Sequence, residues 1–169
     1  MSQKTSSPNP IGKILGQFSA SHSTAVNKLI HYITIPLVSF SVLALVWAIP
    51  FPSLSFLGRY NGFINWASIL IGFAVYYYYR VSPLLSYGIL IMIFAFSGLI
   101  VSLEKFHIQG GGPQMHIIPL LILLPALLAQ VAGHRSERAI PSASSSIRSL
   151  MDGPLWVMNA LFRRLRIIK

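Results

Sequence analysis

The chain has 169 residues, of which 54% are hydrophobic and only 9% are charged. A soluble domain carries roughly 25% charged residues, and a disordered chain requires low hydrophobicity. This composition therefore excludes an ordinary cytosolic globule and a disordered protein, and it indicates a small membrane protein with one domain, residues 1–169. Cysteine is absent, which excludes disulfide bonds, thiolate metal ligands and thiol nucleophiles.

Four apolar segments approach the ~20 residues that a helix needs to cross a bilayer. None of them contains a charged side chain, and their approximate bounds are residues 32–50, 62–79, 83–103 and 116–132. Only three residues separate the second segment from the third, and Pro83 is suited to the first turn of a helix, so we expect a tight helical hairpin there. The sequence therefore predicts an all-α integral membrane protein with four transmembrane helices.

The distribution of Lys and Arg predicts the orientation of these helices. Four crossings place both termini and the Arg80 turn on one side, and that side carries all the basic residues except Arg59 and Lys105. We therefore expect both termini in the cytoplasm, and this asymmetry explains most of the net charge of +10 without a nucleic-acid partner. A bacterial inner membrane is favoured over the endoplasmic reticulum, because the chain is short and has no retention-type tail.

Both ends of the chain have the composition of helices that lie at a membrane surface. Residues 10–30 mix apolar and polar positions, and residues 154–168 combine apolar side chains with three arginines. Asp152 is suited to the N-cap and Pro154 to the first turn, which predicts an amphipathic C-terminal helix over about 154–168. Simple anchoring of the topology by these arginines is the alternative to a specific role.

Three of the five histidines fall on the predicted cytoplasmic face. His22 and His31 precede the first span and His134 ends the fourth, whereas His107 and His116 belong to the opposite loop. His116 and His134 are 18 residues apart, about 27 Å along a helix, so they cannot bind the same ion. Neutral imidazoles with a nearby carboxylate suit non-haem iron or another first-row metal, and three imidazoles would also accept zinc.

Polar partners of these histidines follow helical spacing. Asn27 precedes His31 by four residues, and Gln130 precedes His134 by four, so each pair shares one face of a helix. Glu137 follows His134 by three residues, which also favours one face. The alternative for Glu137 is a surface ion pair with one of the arginines that flank it.

A shared metal site requires a break in the helix between the first two histidines. His22 and His31 are nine residues apart, which would put them on opposite sides of a continuous helix. Ser23 or Thr24 is suited to cap a new helix after His22. We therefore expect His22 to lie on a preceding segment that turns back toward His31.

Two stretches of the chain carry a family resemblance. The first reads Phe18-x3-His22-x4-Asn27-x3-His31-x4-Pro36, and the second reads Gln130-x2-Gly133-His134 followed by Glu137-x3-Pro141. Together with Gly153-Pro154 and the hairpin Tyr78–Pro83, they resemble a small four-span membrane family. That family includes the iron-dependent 2-hydroxy fatty acid dioxygenase of phytosphingosine breakdown, and the resemblance covers about residues 15–165.

The resemblance implies an enzyme that uses Fe(II) and O2 to shorten a long-chain 2-hydroxy fatty acid by one carbon. It implies that the histidines of the two signatures are the iron ligands and the catalytic residues, namely His22, His31 and His134. It also implies three polar residues that assist the metal site by orienting the imidazoles, namely Asn27, Gln130 and Glu137. The bilayer then serves as the source of an apolar substrate.

Two other functions stay open from the sequence alone. A non-enzymatic membrane scaffold or assembly factor would use the same histidine, asparagine and glutamine side chains for hydrogen bonds between helices, and it would bind no metal. A small transporter is the least favoured function, because no acidic or basic residue lies inside a predicted span.

Overall fold

The computed structural model describes residues 10–56, 58, 64–135, 137 and 143–168. This part of the chain forms six α-helices and no strand, which confirms the predicted all-α class for the residues described. The helices are α1 (Pro10–Ala20), α2 (Ala25–Trp47), α3 (Trp66–Val81), α4 (Pro83–Ile108), α5 (Ile117–His134) and α6 (Ala143–Arg164).

Three of the described helices, α2, α4 and α5, are long and apolar enough to cross a membrane. The second predicted span corresponds to α3, which has only 16 residues. It begins at Trp66 and not near residue 62, because Asn65 caps it: the Asn65 side chain accepts a hydrogen bond from the Ser68 amide at 2.9 Å. The start of the first predicted span also differs, since α2 begins seven residues earlier than expected, at Ala25.

The helices α2 to α5 run antiparallel to their neighbours. Phe51, just after α2, contacts the Trp66 ring at the start of α3, with ring centroids 5.2 Å apart. Ser82 ends α3 and caps α4, which begins at Pro83, so the predicted tight hairpin is confirmed. The start of α2 packs beside the end of α5, where the histidines lie. We call this the histidine end of the bundle and the opposite one the distal end.

Helix α6 packs against α1, α2 and α4 at the histidine end. Its predicted N-cap was wrong: α6 begins at Ala143, so Asp152 and Pro154 lie inside the helix. The Asp152 carboxylate is buried and accepts a hydrogen bond from the Tyr77 hydroxyl at 2.8 Å. Gly88 on α4 lets α6 approach closely, because a Cβ at this position would lie 2.5 Å from Met158 Sδ.

The buried core divides into three clusters along the bundle. The distal cluster contains Phe40, Leu43, Ala44, Ala67 and Ile100. The second joins α3, α4 and α6 through Tyr78, Leu85, Ile89, Leu155 and Met158. The third lies next to the histidines and consists of Phe18, Ile35 and Trp156, so α1, α2 and α6 are fixed to one another beside the candidate site.

Candidate metal centre

The three histidines of the predicted cytoplasmic face come together in the structure. The ring centroids of His22 and His31 lie 4.1 Å apart, and those of His134 lie 4.9 Å from His22 and 4.8 Å from His31. One ring nitrogen from each histidine lies within 4.8 Å of the other two. Across the described ranges, this is the one group of three or more His, Asp or Glu side chains with metal-binding spacing.

The break between α1 and α2 makes this convergence possible. Helix α1 ends at Ala20 and α2 begins at Ala25, and the Thr24 hydroxyl accepts a hydrogen bond from the Asn27 amide. His22 therefore lies in the turn and contacts His31, which is about two helical turns into α2. The predicted break is confirmed, and of the two predicted capping residues, Ser23 and Thr24, it is Thr24 that caps α2.

Hydrogen bonds to the main chain orient two of the rings. His22 Nδ1 donates to the Phe18 carbonyl at 2.8 Å, and His31 Nδ1 donates to the Asn27 carbonyl at 3.0 Å. A carbonyl only accepts, so Nδ1 carries the proton in each neutral ring and Nε2 carries the lone pair. Carbonyl hydrogen bonds of this kind fix the tautomer and the ring orientation of metal-binding histidines.

Two ring nitrogens in the cluster are buried without a hydrogen-bond partner. They are Nε2 of His22 and Nδ1 of His134. Leaving a buried polar atom unpaired costs about 1–3 kcal/mol, and native proteins contain few such atoms. A metal ion would pair with both nitrogens, so the residues present fit a bound metal.

The protonation state of His22 also suits metal binding. Burial lowers the pKa of His22 below its usual value of 6.5, and the hydrogen bond to the Phe18 carbonyl only partly opposes this effect. The ring is therefore neutral at pH 7. Metal ions bind the neutral form of imidazole, so no proton has to be displaced from this side chain.

Glu137 ties the segment after α5 to the start of α2. Its carboxylate accepts hydrogen bonds from Ser23 Oγ at 2.5 Å, from the Thr24 amide at 3.0 Å and from Asn27 Nδ2 at 3.0 Å. A carboxylate at this position also interacts favourably with the positive end of the α2 dipole. Glu137 therefore joins the segment that carries His134 to the turn that precedes α2.

The two amide side chains of the signatures serve different contacts. Asn27 is fully buried and its side-chain Nδ2 donates to Glu137, while its main-chain carbonyl accepts the hydrogen bond that orients His31. Gln130 Nε2 donates to Thr34 Oγ1 at 3.0 Å and so joins α5 to α2 about one turn away from the histidines. Gly133 lets these helices approach, because a Cβ at this position would overlap Asn27 Oδ1.

The family profile for Mpo1-like proteins, described as 2-hydroxy-palmitic acid dioxygenase Mpo1-like, matches residues 9–165. The chain belongs to the Mpo1-like family. The match confirms the resemblance, and it spans both histidine signatures and α1 to α6. No curated protein and no solved structure gives a significant match to the chain.

Two aromatic residues form a wall of the cluster in this Mpo1-like chain. The Phe18 ring stacks on His22 with a centroid distance of 4.3 Å, and the Trp156 ring lies 5.8 Å from His22. Trp156 is also stacked on Tyr32, and its Nε1 donates to Ser19 Oγ at 3.1 Å. The sequence predicts Trp156 only as part of a surface helix over 154–168, and it does not predict this contact because no local spacing connects α6 with α1.

The other two histidines lie at the distal end of the bundle. His107 is in the last turn of α4, and His116 immediately precedes α5. Both side chains are exposed. Their predicted exclusion from the three-histidine cluster is confirmed.

The hydrogen bonds of Glu137 make the stability of this Mpo1-like chain depend on pH. Hydrogen bonds from Ser23, Thr24 and Asn27 lower the pKa of Glu137 from 4.5 to about 2. The carboxylate therefore stabilises the fold fully above about pH 5, and this contribution disappears as the pH falls toward 2. We expect Glu137→Gln to lower the Tm of the metal-free protein by a constant amount above pH 5, and by a shrinking amount below it.

This difference in Tm is measured by thermal unfolding of the wild type and of Glu137→Gln in detergent, monitored by circular dichroism between pH 2 and 7. Using metal-free protein removes the separate effect of histidine protonation on metal binding. A Tm difference that stays constant down to pH 2 would contradict the assigned role of the carboxylate.

Proposed function

We propose that this chain is a membrane-embedded Fe(II)-dependent dioxygenase that shortens a long-chain 2-hydroxy fatty acid by one carbon. The observation that carries the metal assignment is the cluster of three histidines with two buried, unpaired ring nitrogens. The family description supports the reaction type and the substrate class. The burial of His22 and His31 beside the aromatic wall supports a site that limits the access of water and so limits side reactions.

The proposed ligands are Nε2 of His22, Nε2 of His31 and Nδ1 of His134. Bound Fe(II) would supply the redox chemistry by which O2 oxidises an organic substrate, as in other non-haem oxygenases. The protein's own contribution is orientation: main-chain carbonyls hold the rings of His22 and His31. Glu137, Asn27 and the close contact at Gly133 keep α5 beside α2, so we assign them a positioning role and not a catalytic one.

We also propose that α3 is a fourth crossing, which places both termini on the cytoplasmic side. Its first residue, Trp66, contacts Phe51 at the distal end, whereas its last turn contacts α6 through Tyr77 and Asp152 at the histidine end. Its 16 residues extend about 24 Å, and a bilayer core is about 30 Å thick. Residues at both ends of the helix would complete the span.

The outer surface of the bundle supports its placement in a lipid bilayer. Large apolar side chains on several helices are mostly exposed, among them Phe73 at 71%, Ile91 at 71% and Leu128 at 70%. Exposure of many large apolar side chains is unfavourable in water and is typical of a surface that contacts lipid. The basic residues on the side of the histidines then favour the cytoplasmic face of that membrane.

A non-enzymatic scaffold predicts different contacts for the same three histidines. If the histidines only joined helices, their buried nitrogens would donate to or accept from neighbouring groups. His22 Nε2 and His134 Nδ1 do neither. We therefore favour a metal-dependent function over a purely structural one.

The direct test is turnover by purified protein loaded anaerobically with Fe(II) in detergent. Adding O2 and 2-hydroxypalmitate should consume O2 and give a product one carbon shorter. The same protein loaded with Zn(II) should bind the metal and remain inactive, because zinc has no redox chemistry. Iron-loaded, folded protein that oxidises no 2-hydroxy fatty acid of any chain length would contradict the proposal.

A further inference from the structure

A cavity of about 230 Å³ lies between α2, α3 and α4 and is bordered at the histidine end by α6. Its wall is apolar: among the described residues that line it, only Ser39, Tyr77 and Tyr78 have side chains with an oxygen or nitrogen atom. A wall of this kind offers a polar ligand almost no hydrogen bonds, and it suits a hydrocarbon. We call it the tail cavity.

The lining of the tail cavity extends over about two turns of α3 and of α4. Tyr77 and Ile89 line it toward the histidine end, and Leu70 and Phe96 line it toward the distal end. Leu70 and Tyr77 are seven residues apart on α3, and Ile89 and Phe96 are seven residues apart on α4. Seven residues correspond to about 10 Å along a helix axis. The cavity therefore extends along the helices, which is the direction in which an acyl chain extends within a membrane.

Helix α6 connects the tail cavity with the histidines. Pro154 lines the cavity, its neighbour Gly153 packs against Ile35, and Trp156 contacts the ring of His22. The same short stretch of α6 therefore borders both the tail cavity and the wall of the candidate metal centre.

Helix α2 gives the distance between the two sites. His31 and Val42, which lines the cavity, are eleven residues apart. Eleven residues are close to three full turns, so both lie on one face of α2, about 16 Å from each other. A ligand that occupies both sites must be long, flexible and apolar over most of its length.

We propose that the tail cavity binds the distal carbons of the acyl chain whose 2-hydroxy carboxylate end lies at the three histidines. This inference rests on the proposed function. It follows that the cavity selects chain length, because a short 2-hydroxy acid cannot reach it and gains nothing from its apolar wall. A substrate dissolved in the bilayer already has its tail at the depth of α2, α3 and α4.

The first test fills the cavity. Ala74 lines it, and Ala74→Phe adds a ring inside. Ala95 is exposed on α4 and is not part of the wall, so Ala95→Phe is the matched control. In Ala74→Phe, the kcat/KM for 2-hydroxypalmitate relative to that for 2-hydroxyoctanoate should fall about tenfold, whereas in Ala95→Phe this ratio should stay at the wild-type value.

Equal iron content in the wild type and both variants would show that the substitutions leave the histidine cluster intact. If Ala74→Phe does not fold, Ser39→Leu reduces the same cavity from α2 with a smaller side chain. An unchanged chain-length ratio in a folded, iron-loaded cavity variant would overturn the inference and leave the proposed function standing.

The second test does not depend on turnover. A 2-hydroxypalmitate analogue with a diazirine at its tail end is photolysed with metal-free wild-type protein, and the labelled residues are mapped by mass spectrometry. We expect labelling near Leu70 and Phe96 that unlabelled 2-hydroxypalmitate suppresses. Labelling confined to lipid-facing residues such as Ile91 would overturn the inference, whether or not the iron-loaded protein proves to be a dioxygenase.

Discussion

Replacing His134 by alanine is expected to abolish iron binding and turnover together. His134 contributes the only proposed ligand from α5, and its Nδ1 is buried with no other partner. In this variant only His22 and His31 remain as ligands, and two imidazoles bind a first-row metal ion much more weakly than three. We expect a loss of activity of more than about 100-fold, larger than the 10–100-fold that removing a supporting residue typically costs.

His116→Ala is the matched control for this variant. His116 is exposed and immediately precedes the same helix, at the distal end, where its side chain makes no capping hydrogen bond. Iron content and turnover of this variant should equal those of the wild type. Retention of iron by His134→Ala, with wild-type activity, would remove His134 from the site.

Gly133→Ala should weaken iron binding without removing any ligand. The added Cβ would overlap Asn27 Oδ1 and lie 3.3 Å from Ile30 Cδ1, so either the buried Asn27 side chain must shift or α5 must move away from α2. A shift of Asn27 disturbs its bond to Glu137, which holds α5 beside α2, and a movement of α5 separates His134 from His22 and His31. Overpacking of this kind costs about 1–3 kcal/mol of stability, and we expect both a lower Tm and a higher Kd for Fe(II).

Gly98→Ala is the control for the effect of alanine in a helix. Gly98 lies within α4, and a Cβ there meets no atom within 4 Å. Alanine is the better helix former by about 1 kcal/mol, so the Tm of Gly98→Ala should be unchanged or slightly higher. If Gly133→Ala behaves in the same way, the close approach of α5 to α2 at this glycine does not position His134.

The sequence was sufficient to predict the elements that depend on local patterns. Long apolar runs without charges predicted α2, α4 and α5, and Ser82-Pro83 predicted the hairpin. The metal hypothesis also required a helix break after His22, and Thr24 provides it by capping α2. These features follow from hydropathy, proline geometry and capping, which act within a few residues.

Other features depend on contacts between distant parts of the chain and could not be predicted in this way. Glu137 stood next to arginines in the sequence, which favoured an ion pair equally well, yet its carboxylate binds the turn before α2. Asp152 was predicted as the N-cap of the last helix, but α6 begins nine residues before it, at Ala143. The Asp152 carboxylate accepts a hydrogen bond from Tyr77 on α3. Trp156 reaches His22 only because α6 packs beside α1.

The most direct measurement is Fe(II) binding to the metal-free wild-type protein under anaerobic conditions. Calorimetry gives the affinity, and metal analysis after gel filtration gives the number of ions bound per chain. The three-histidine cluster predicts one Fe(II) per chain with saturable binding, and binding should be accompanied by a rise in Tm because the ion binds only the folded state. A folded protein that binds neither Fe(II) nor Zn(II) saturably would contradict the metal centre and favour the scaffold function.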